Sequence, residues 1–142
     1  MRKPEVAARL HSAAIHLLRR VRRDDPLMEL TPARASVLSV LVFGGPRSPG
    51  ELAAIEQVAA PTMTKLVNGL ARDGYVRKRS HPGDGRAVVI TATAKAKRAL
   101  QAGRRRRIRL LQALFEDLSD GEWEVLDQAA GIIERGAVGA QR

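Results

Sequence analysis

The chain contains no cysteine, so it has no disulfides, no thiolate metal ligands and no thiol-based redox sensor. Long apolar runs are also absent, because no stretch approaches the roughly 20 residues that a membrane-spanning helix needs. Charges are scattered through the N-terminus, in contrast to the apolar block of a signal peptide. These absences predict a cytoplasmic protein, and 142 residues are enough for one domain.

Aromatic side chains make up only 3% of the sequence. Proteins that bind single strands stack bases on such side chains, so a single-stranded partner is disfavoured. Basic residues, in contrast, number 25 against 15 acidic ones, which gives a formal charge of +10. A field of this sign favours nucleic acid first and an anionic membrane surface second. The cations do not lie opposite one continuous apolar helix face, so the pattern favours double-stranded DNA and no membrane.

Four helices are predicted in the first half of the chain. Apolar residues at helical spacing predict the first over residues 5–22. The second begins at Thr31-Pro32, an N-cap followed by proline at the first helical position. Ser48-Pro-Gly-Glu51 is a capping box that opens a short third helix, and Pro61 lies in the first turn of the fourth. The fourth helix carries an apolar stripe at i, i+3, i+4 and i+7, formed by Met63, Leu66, Val67 and Leu70.

A hairpin is predicted directly after the fourth helix. Gly74 is expected to end that helix, and residues 75–79 and 86–91 then alternate like two strands around a Pro-Gly-Asp-Gly turn. The order of helix, short helix, turn, helix and hairpin is that of a winged helix-turn-helix. We therefore expect a mainly α-helical fold with a small β-hairpin wing.

Two more helices are predicted downstream of the hairpin. Thr93 is expected to cap a long helix that reaches about Leu118. A second capping box, Ser119-Asp-Gly-Glu122, opens a final helix that Gly136 is expected to end. Both helices carry apolar stripes.

The fourth helix carries polar side chains opposite its apolar stripe. In a winged helix-turn-helix this helix enters the major groove. Asparagine pairs with adenine through two hydrogen bonds, lysine reaches guanine or a phosphate, and threonine methyl groups contact thymine. The candidate DNA-reading residues are Thr62, Thr64, Lys65, Asn68 and Arg72.

Cations flank the hairpin turn on both sides. The minor groove is narrow and strongly negative, and it attracts an arginine carried on a slim support. Asp84 lies two residues before Arg86 and is placed to hold that guanidinium in one pose. The other cations are expected to contact phosphates. The candidate wing residues are Arg77, Lys78, Arg79, Asp84 and Arg86.

The motifs together resemble the MarR family of bacterial transcription regulators over nearly the whole chain. The resemblance implies that Asp84 and Arg86 are the wing pair, with the arginine in the minor groove. The first turn of the fourth helix departs from the family, because it reads Ala59-Ala60-Pro61 where relatives often carry hydroxyl or basic side chains. The motifs that carry the resemblance are Leu30-Thr-Pro-Ala-Arg34, Glu51-Leu-Ala53, Thr62 to Leu70, Gly74-Tyr-Val-Arg77 and Asp84-Gly-Arg86.

The terminal helices are expected to form a dimer. Their apolar stripes lie outside the DNA-binding module of residues 30–92, and apolar surface of this extent needs a partner. The resemblance implies a homodimer through residues 1–23 and 93–136, within a single domain spanning 1–142, that binds a pseudo-palindromic operator. It also implies a small effector, often an aromatic or phenolic anion. We therefore expect a ligand-responsive repressor.

Other classes of function fit the sequence less well. It contains no acid–base pair, phosphate loop or metal motif, which argues against an enzyme and against any cofactor or bound metal. The alternative within DNA binding is an architectural protein that is drawn by charge and indifferent to sequence. Gly69 indicates either close approach to DNA or contact with a neighbouring helix. Arg104 to Arg107 cover all sides of a helix, so a solvated segment is expected there, with added long-range attraction to DNA as the alternative.

Overall fold

The computed structural model describes residues 2–25, 30–81 and 83–138, with the backbone alone at 81, 84–86 and 138. Within these residues the chain forms six helices and one antiparallel hairpin. In chain order the elements are α1 (Lys3–Asp24), α2 (Pro32–Gly44), α3 (Pro49–Glu56), α4 (Ala60–Arg72), β1 (Val76–His81), β2 (Asp84–Ala92), α5 (Ala94–Leu114) and α6 (Asp120–Val138). The predicted fold class, mainly α with a β-hairpin wing, is confirmed.

Local side-chain caps begin the helices where the sequence predicts them. The Thr31 Oγ1 accepts a hydrogen bond from the backbone N–H of Arg34 at 3.3 Å. Ser48 and Glu51 form both bonds of the predicted capping box. Ser119 and Glu122 do the same at the start of α6, and the backbone N–H of Ser119 holds the pKa of Glu122 below its usual value. These caps satisfy N–H groups that a helix start leaves without partners.

A single apolar core joins α2, α3, α4 and the hairpin. Three residues of the predicted α4 stripe are buried in it, while Leu66 is only partly buried at its edge. Because α4 has its inner face in this core, its opposite face is left to solvent. The largest fully buried side chains are Val37, Leu38, Leu52, Met63, Val67, Leu70 and Ile90.

A third backbone segment pairs with the hairpin. The N–H of Arg47 donates to the carbonyl of Ile90 at 3.2 Å, and the N–H of Ile90 donates back at 2.7 Å. Gly45 makes the approach to this bridge with φ of +82°, in the left-handed region that glycine favours. A pairing of one residue has no periodicity, so the sequence does not predict this bridge.

Two predicted helix ends are wrong by a few residues. Helix α5 ends at Leu114 rather than about Leu118, since tighter backbone bonds from Phe115 to Gln112 and from Leu118 to Phe115 close its last turn. Phe115 then packs edge-on against Trp123, with ring centroids 6.2 Å apart. Helix α6 continues through Gly136 to Val138, because a glycine lowers helix stability by only about 1 kcal/mol.

The chain divides into two compact units, Met1–Ile108 and Arg109–Arg142. The first contains α1, the core and most of α5; the second contains the end of α5 and all of α6. None of the described helices is both long enough and apolar enough to cross a membrane. The extent of the domain thus stays a prediction.

Candidate nucleic-acid interface

Helix α4 presents a polar face to solvent. Thr62, Thr64, Lys65, Asn68 and Arg72 are all exposed, so the structure places the five candidate reading residues on one accessible surface. The Thr64 hydroxyl donates to the carbonyl of Ala60 at 3.0 Å. Its proton is therefore engaged within the helix, which leaves a methyl group and an acceptor oxygen for other contacts.

The wing meets α4 through one side-chain contact. The Lys78 ammonium donates to the side-chain oxygen of Asn68. Lys78 pairs with Ile90 across the hairpin, so these two side chains share the face that carries the buried Val76. The predicted reading residue and one predicted wing cation are thus brought together directly.

The two wing arginines before the turn lie on the other face of the hairpin. Arg77 pairs with Thr91 and Arg79 with Val89, and side chains alternate along a strand. Both arginines are exposed, but they do not form one patch with Lys78. The Asp84 and Arg86 side chains lie outside the described residues, so their pairing stays a prediction.

An ion pair fixes the C-terminal end of α4. Arg34, near the start of α2, donates from Nη1 to Oδ2 of Asp73 at 2.6 Å. This bond from the guanidinium, with further attraction from nearby cations, holds the pKa of Asp73 below its usual value of 3.8. The pair joins positions 39 residues apart and ties α2 to the residue that follows α4. Arg34 lies in one of the motifs that carry the family resemblance, but that motif does not predict the ion pair.

Gly69 makes room for that ion pair. A β-carbon at Gly69 would lie 2.5 Å from Nη2 of Arg34, closer than nonbonded atoms approach. The open question about Gly69 is therefore answered in favour of a neighbouring helix, since Arg34 of α2 packs over it. The helix-destabilising residue allows the guanidinium to reach Asp73.

The first turn of α5 is bound to the same end of α4. The Thr93 hydroxyl donates to the carbonyl of Gly74 at 2.7 Å, and the Lys95 ammonium donates to the carbonyl of Asp73 at 2.7 Å. Lys95 also lies over the Tyr75 ring, 4.6 Å from its centroid. Thr93 accepts from the N–H of Ala96 at 3.4 Å, which confirms the predicted cap. These contacts connect α5 to the segment between α4 and the wing.

The arginine-rich part of α5 adjoins the end of α1. Asp25 is buried and accepts a hydrogen bond from Nε of Arg106 at 3.1 Å, while Arg104, Arg105 and Arg107 are exposed. A cavity of about 220 Å³ lies beside this pair. Its walls are formed by Arg22, Leu30, Pro32, Ala35, Ser39, Ala99, Leu100, Gly103, Arg106 and Arg107. Among the described side chains no group of three or more His, Cys, Asp or Glu is arranged to hold a metal ion.

Known proteins are similar to this chain in sequence and in fold. A model of the MarR family matches residues 29–87. An uncharacterized HTH-type transcriptional regulator of Mycobacterium leprae, ML2140, is 31% identical over 128 residues, which are 90% of each chain. The HTH-type transcriptional repressor YetL of Bacillus subtilis is 36% identical over 89 residues, 62% of this chain and 53% of YetL. The crystal structure of the transcriptional regulator Tm0710 from Thermotoga maritima has 27% identity and a TM-score of 0.77, covering 96% of this chain and 99% of Tm0710.

The fold and the exposed face of α4 define a winged helix-turn-helix transcriptional regulator that binds DNA. Within that class the chain belongs to the MarR family. Like these relatives, it is a transcriptional regulator and not an enzyme.

We predict that Gly69→Ala stabilises the protein only when Arg34 is absent. In an Arg34→Ala background, alanine raises the free energy of unfolding by about 0.5–1 kcal/mol through better helix propensity. In the unsubstituted protein the same change gives no such gain, because the methyl group displaces the guanidinium from Asp73. Urea unfolding of the four proteins in this double-mutant cycle measures the coupling.

Two controls accompany this cycle. Gly136→Ala adds a methyl group with no neighbouring atom within 4 Å and should act alike in both backgrounds. Because the folded pKa of Asp73 is lowered, the ion pair stabilises the fold at neutral pH and is lost as the pH falls through that pKa. The coupling should therefore weaken in acid. Additive effects of Gly69→Ala and Arg34→Ala at neutral pH would contradict the packing described.

Proposed function

We propose that the protein is a sequence-specific regulator that reads double-stranded DNA with α4 and the hairpin wing. The observation that carries this proposal is the division of α4 into two faces. Met63, Val67 and Leu70 hold one face in the core, while a row of polar side chains stays accessible on the other. A wing cation, Lys78, contacts that polar row. A solvated helix with no ligand would not need a basic hairpin beside it.

Each polar residue has a role that its chemistry supports. Thr62 and the Thr64 methyl group suit contact with thymine, and Lys65 suits guanine or a phosphate. Asn68 suits a base edge, and Arg72, at the end of α4, suits the phosphate backbone. In the wing we propose that Arg86, positioned by Asp84, enters the minor groove, while Arg77, Lys78 and Arg79 contact phosphates on its two sides.

We propose a homodimer formed through residues 1–23 and 93–136, with residues 30–92 as the DNA-binding module of a single domain. In α1, a helix of 22 residues, only Val21 is buried. Most helical stability in proteins comes from packing of an amphipathic face, so we propose that α1 packs against another chain. Helix α6 also exposes apolar side chains, among them Val125, Ile132 and Ile133. A two-fold dimer reads two half-sites, which fits a pseudo-palindromic operator.

Repression in the cytoplasm is the mode of regulation we propose. YetL, which shares 36% identity over its matched part, is named a transcriptional repressor. A dimer that occupies an operator represses by excluding other proteins from the same DNA.

We further propose that an aromatic or phenolic anion binds in the cavity between α1, α2 and α5 of the first unit. Leu30, Ala35 and Leu100 give it apolar walls, and Arg22 and Arg107 supply charge. Guanidinium groups in a partly enclosed site bind carboxylates strongly. The volume of about 220 Å³ suits a single-ring compound. Binding there would shift the population between two dimer geometries and so release DNA.

We expect alanine variants to separate the roles of wing and helix. Arg86→Ala should weaken operator binding by at most a few kcal/mol, and Asp84→Ala should weaken it less. Asn68→Ala should cost about 1–3 kcal/mol and relax base preference at one position in each half-site. Selection of bound sequences from random duplex DNA, followed by titration on the selected operator, measures both effects.

The matched control is Arg98→Ala, which removes an exposed cation from α5 outside the module. It should alter base preference at no position. Unchanged affinity in all three test variants would refute the docking geometry. Steep salt dependence with no selected sequence would favour the architectural alternative, which the charge of +10 alone would explain.

Ile133→Glu should convert the dimer to a monomer at micromolar concentration, since it buries a charge in an apolar interface. Arg135→Glu is the matched control. Arg135 lies two residues after Ile133, and at about 100° per residue this places it on the opposite side of the helix. Light scattering gives both masses. A monomeric mass for the unsubstituted protein would overturn the proposed assembly.

Salicylate, a phenolic anion, should raise Tm by roughly 9 °C at a hundredfold excess over Kd and lower operator affinity. Neutral benzyl alcohol should do neither. Arg107→Met should remove both effects, whereas Arg105→Met, at an exposed arginine that does not line the cavity, should retain them. If no phenolic or benzoic compound changes either Tm or operator affinity, the effector proposal fails.

A further inference from the structure

The contact between Asn68 and Lys78 limits which base the asparagine can read. A lysine ammonium has only donors, so the atom it contacts must be the amide oxygen of Asn68. The assignment of oxygen and nitrogen in this side chain is therefore set by its partner. Both N–H donors of the amide nitrogen stay available for a base edge, whereas the oxygen keeps one lone pair beside a positive charge.

Adenine recognition by asparagine needs both halves of the amide. The oxygen accepts from the adenine N6 amino group while the nitrogen donates to N7. In this protein that oxygen already accepts from Lys78, which leaves it one lone pair rather than two for a base. The ammonium charge beside it also repels the positively polarised amino group of adenine. Both effects disfavour the bidentate adenine contact.

Guanine presents the opposite pattern in the major groove. Its O6 and N7 atoms are both acceptors, so they match the two donors of the amide nitrogen. The nearby ammonium attracts the same two atoms. Occupancy of the amide oxygen and the local charge thus favour the same base.

We infer that Lys78 is a specificity-determining residue that makes Asn68 a reader of guanine rather than adenine. This inference rests on the proposed function, in which α4 faces the major groove. Lys78 is exposed and keeps two further N–H donors, which are available to a phosphate. One lysine then connects the phosphate contact of the wing to base selection by α4.

The matched variants differ in whether they keep the bond to Asn68. Lys78→Met removes the donor, and Lys78→Arg keeps a donor and the charge. Arg79→Met removes the neighbouring cation, which lies on the opposite face of the hairpin and does not contact Asn68. Asn68→Ala identifies the operator position that Asn68 reads. Each variant and the unsubstituted protein are used to select bound sequences from random duplex DNA.

The unsubstituted protein should select guanine at the position whose preference disappears in Asn68→Ala. Lys78→Met should shift that position toward adenine by about fivefold or more, and Lys78→Arg should retain guanine. Lys78→Met and Arg79→Met should both reduce overall affinity and lower the salt slope by about one unit. Of these two variants, only Lys78→Met should change the preferred base at a position of the selected motif.

Three results would overturn the inference: adenine at that position in the unsubstituted protein, an unchanged preference in Lys78→Met, or no position that depends on Asn68. In each of these cases a selected motif still supports the proposed function. If the unsubstituted protein selects no motif at all, the proposed function fails as well. The two failures are therefore distinguishable in one experiment.

Discussion

The whole arrangement depends on the burial of one face of α4. Met63, Val67 and Leu70 are fixed in a core built by α2, α3 and the hairpin, so α4 cannot rotate without exposing them. Burial of three such side chains is worth several kcal/mol, at about 1.5–3 kcal/mol each. Because this burial fixes the orientation of the inner face of α4, it also fixes the orientation of the outer face. Polar residues that contribute little to stability are thereby held ready for a ligand.

Polar contacts with other segments then hold the candidate reading surface at two points. The ion pair between Arg34 and Asp73 holds the C-terminal end of α4, and the hydrogen bond from Lys78 to Asn68 holds the wing against its middle. Gly69 is part of the same arrangement, because the Arg34 side chain occupies the space where a side chain at position 69 would lie. Surface ion pairs contribute little free energy. Their effect here is to set geometry.

The sequence predicts features whose causes are local. Capping boxes, the apolar stripe of α4 and the switch of period in the hairpin were all recognisable, because each depends on residues a few positions apart. The contacts that shape the candidate site were not recognisable. Arg34 and Asp73 are 39 residues apart, and the Arg47 bridge to Ile90 spans a similar distance, so only the packed core brings them together. The end of α5 is not predictable from the sequence, because tighter backbone hydrogen bonds close its last turn without a stop residue.

The attachment of α5 to the end of α4 has one further consequence. Thr93 and Lys95 donate to main-chain carbonyls at Gly74 and Asp73, and every residue type offers such an acceptor. The linkage is thus independent of which side chains lie on the exposed face of α4. In the proposed interface, the residues that select bases are therefore different from the residues that join α5 to the end of α4. Substitutions on the exposed face of α4 therefore leave these two hydrogen bonds to α5 intact.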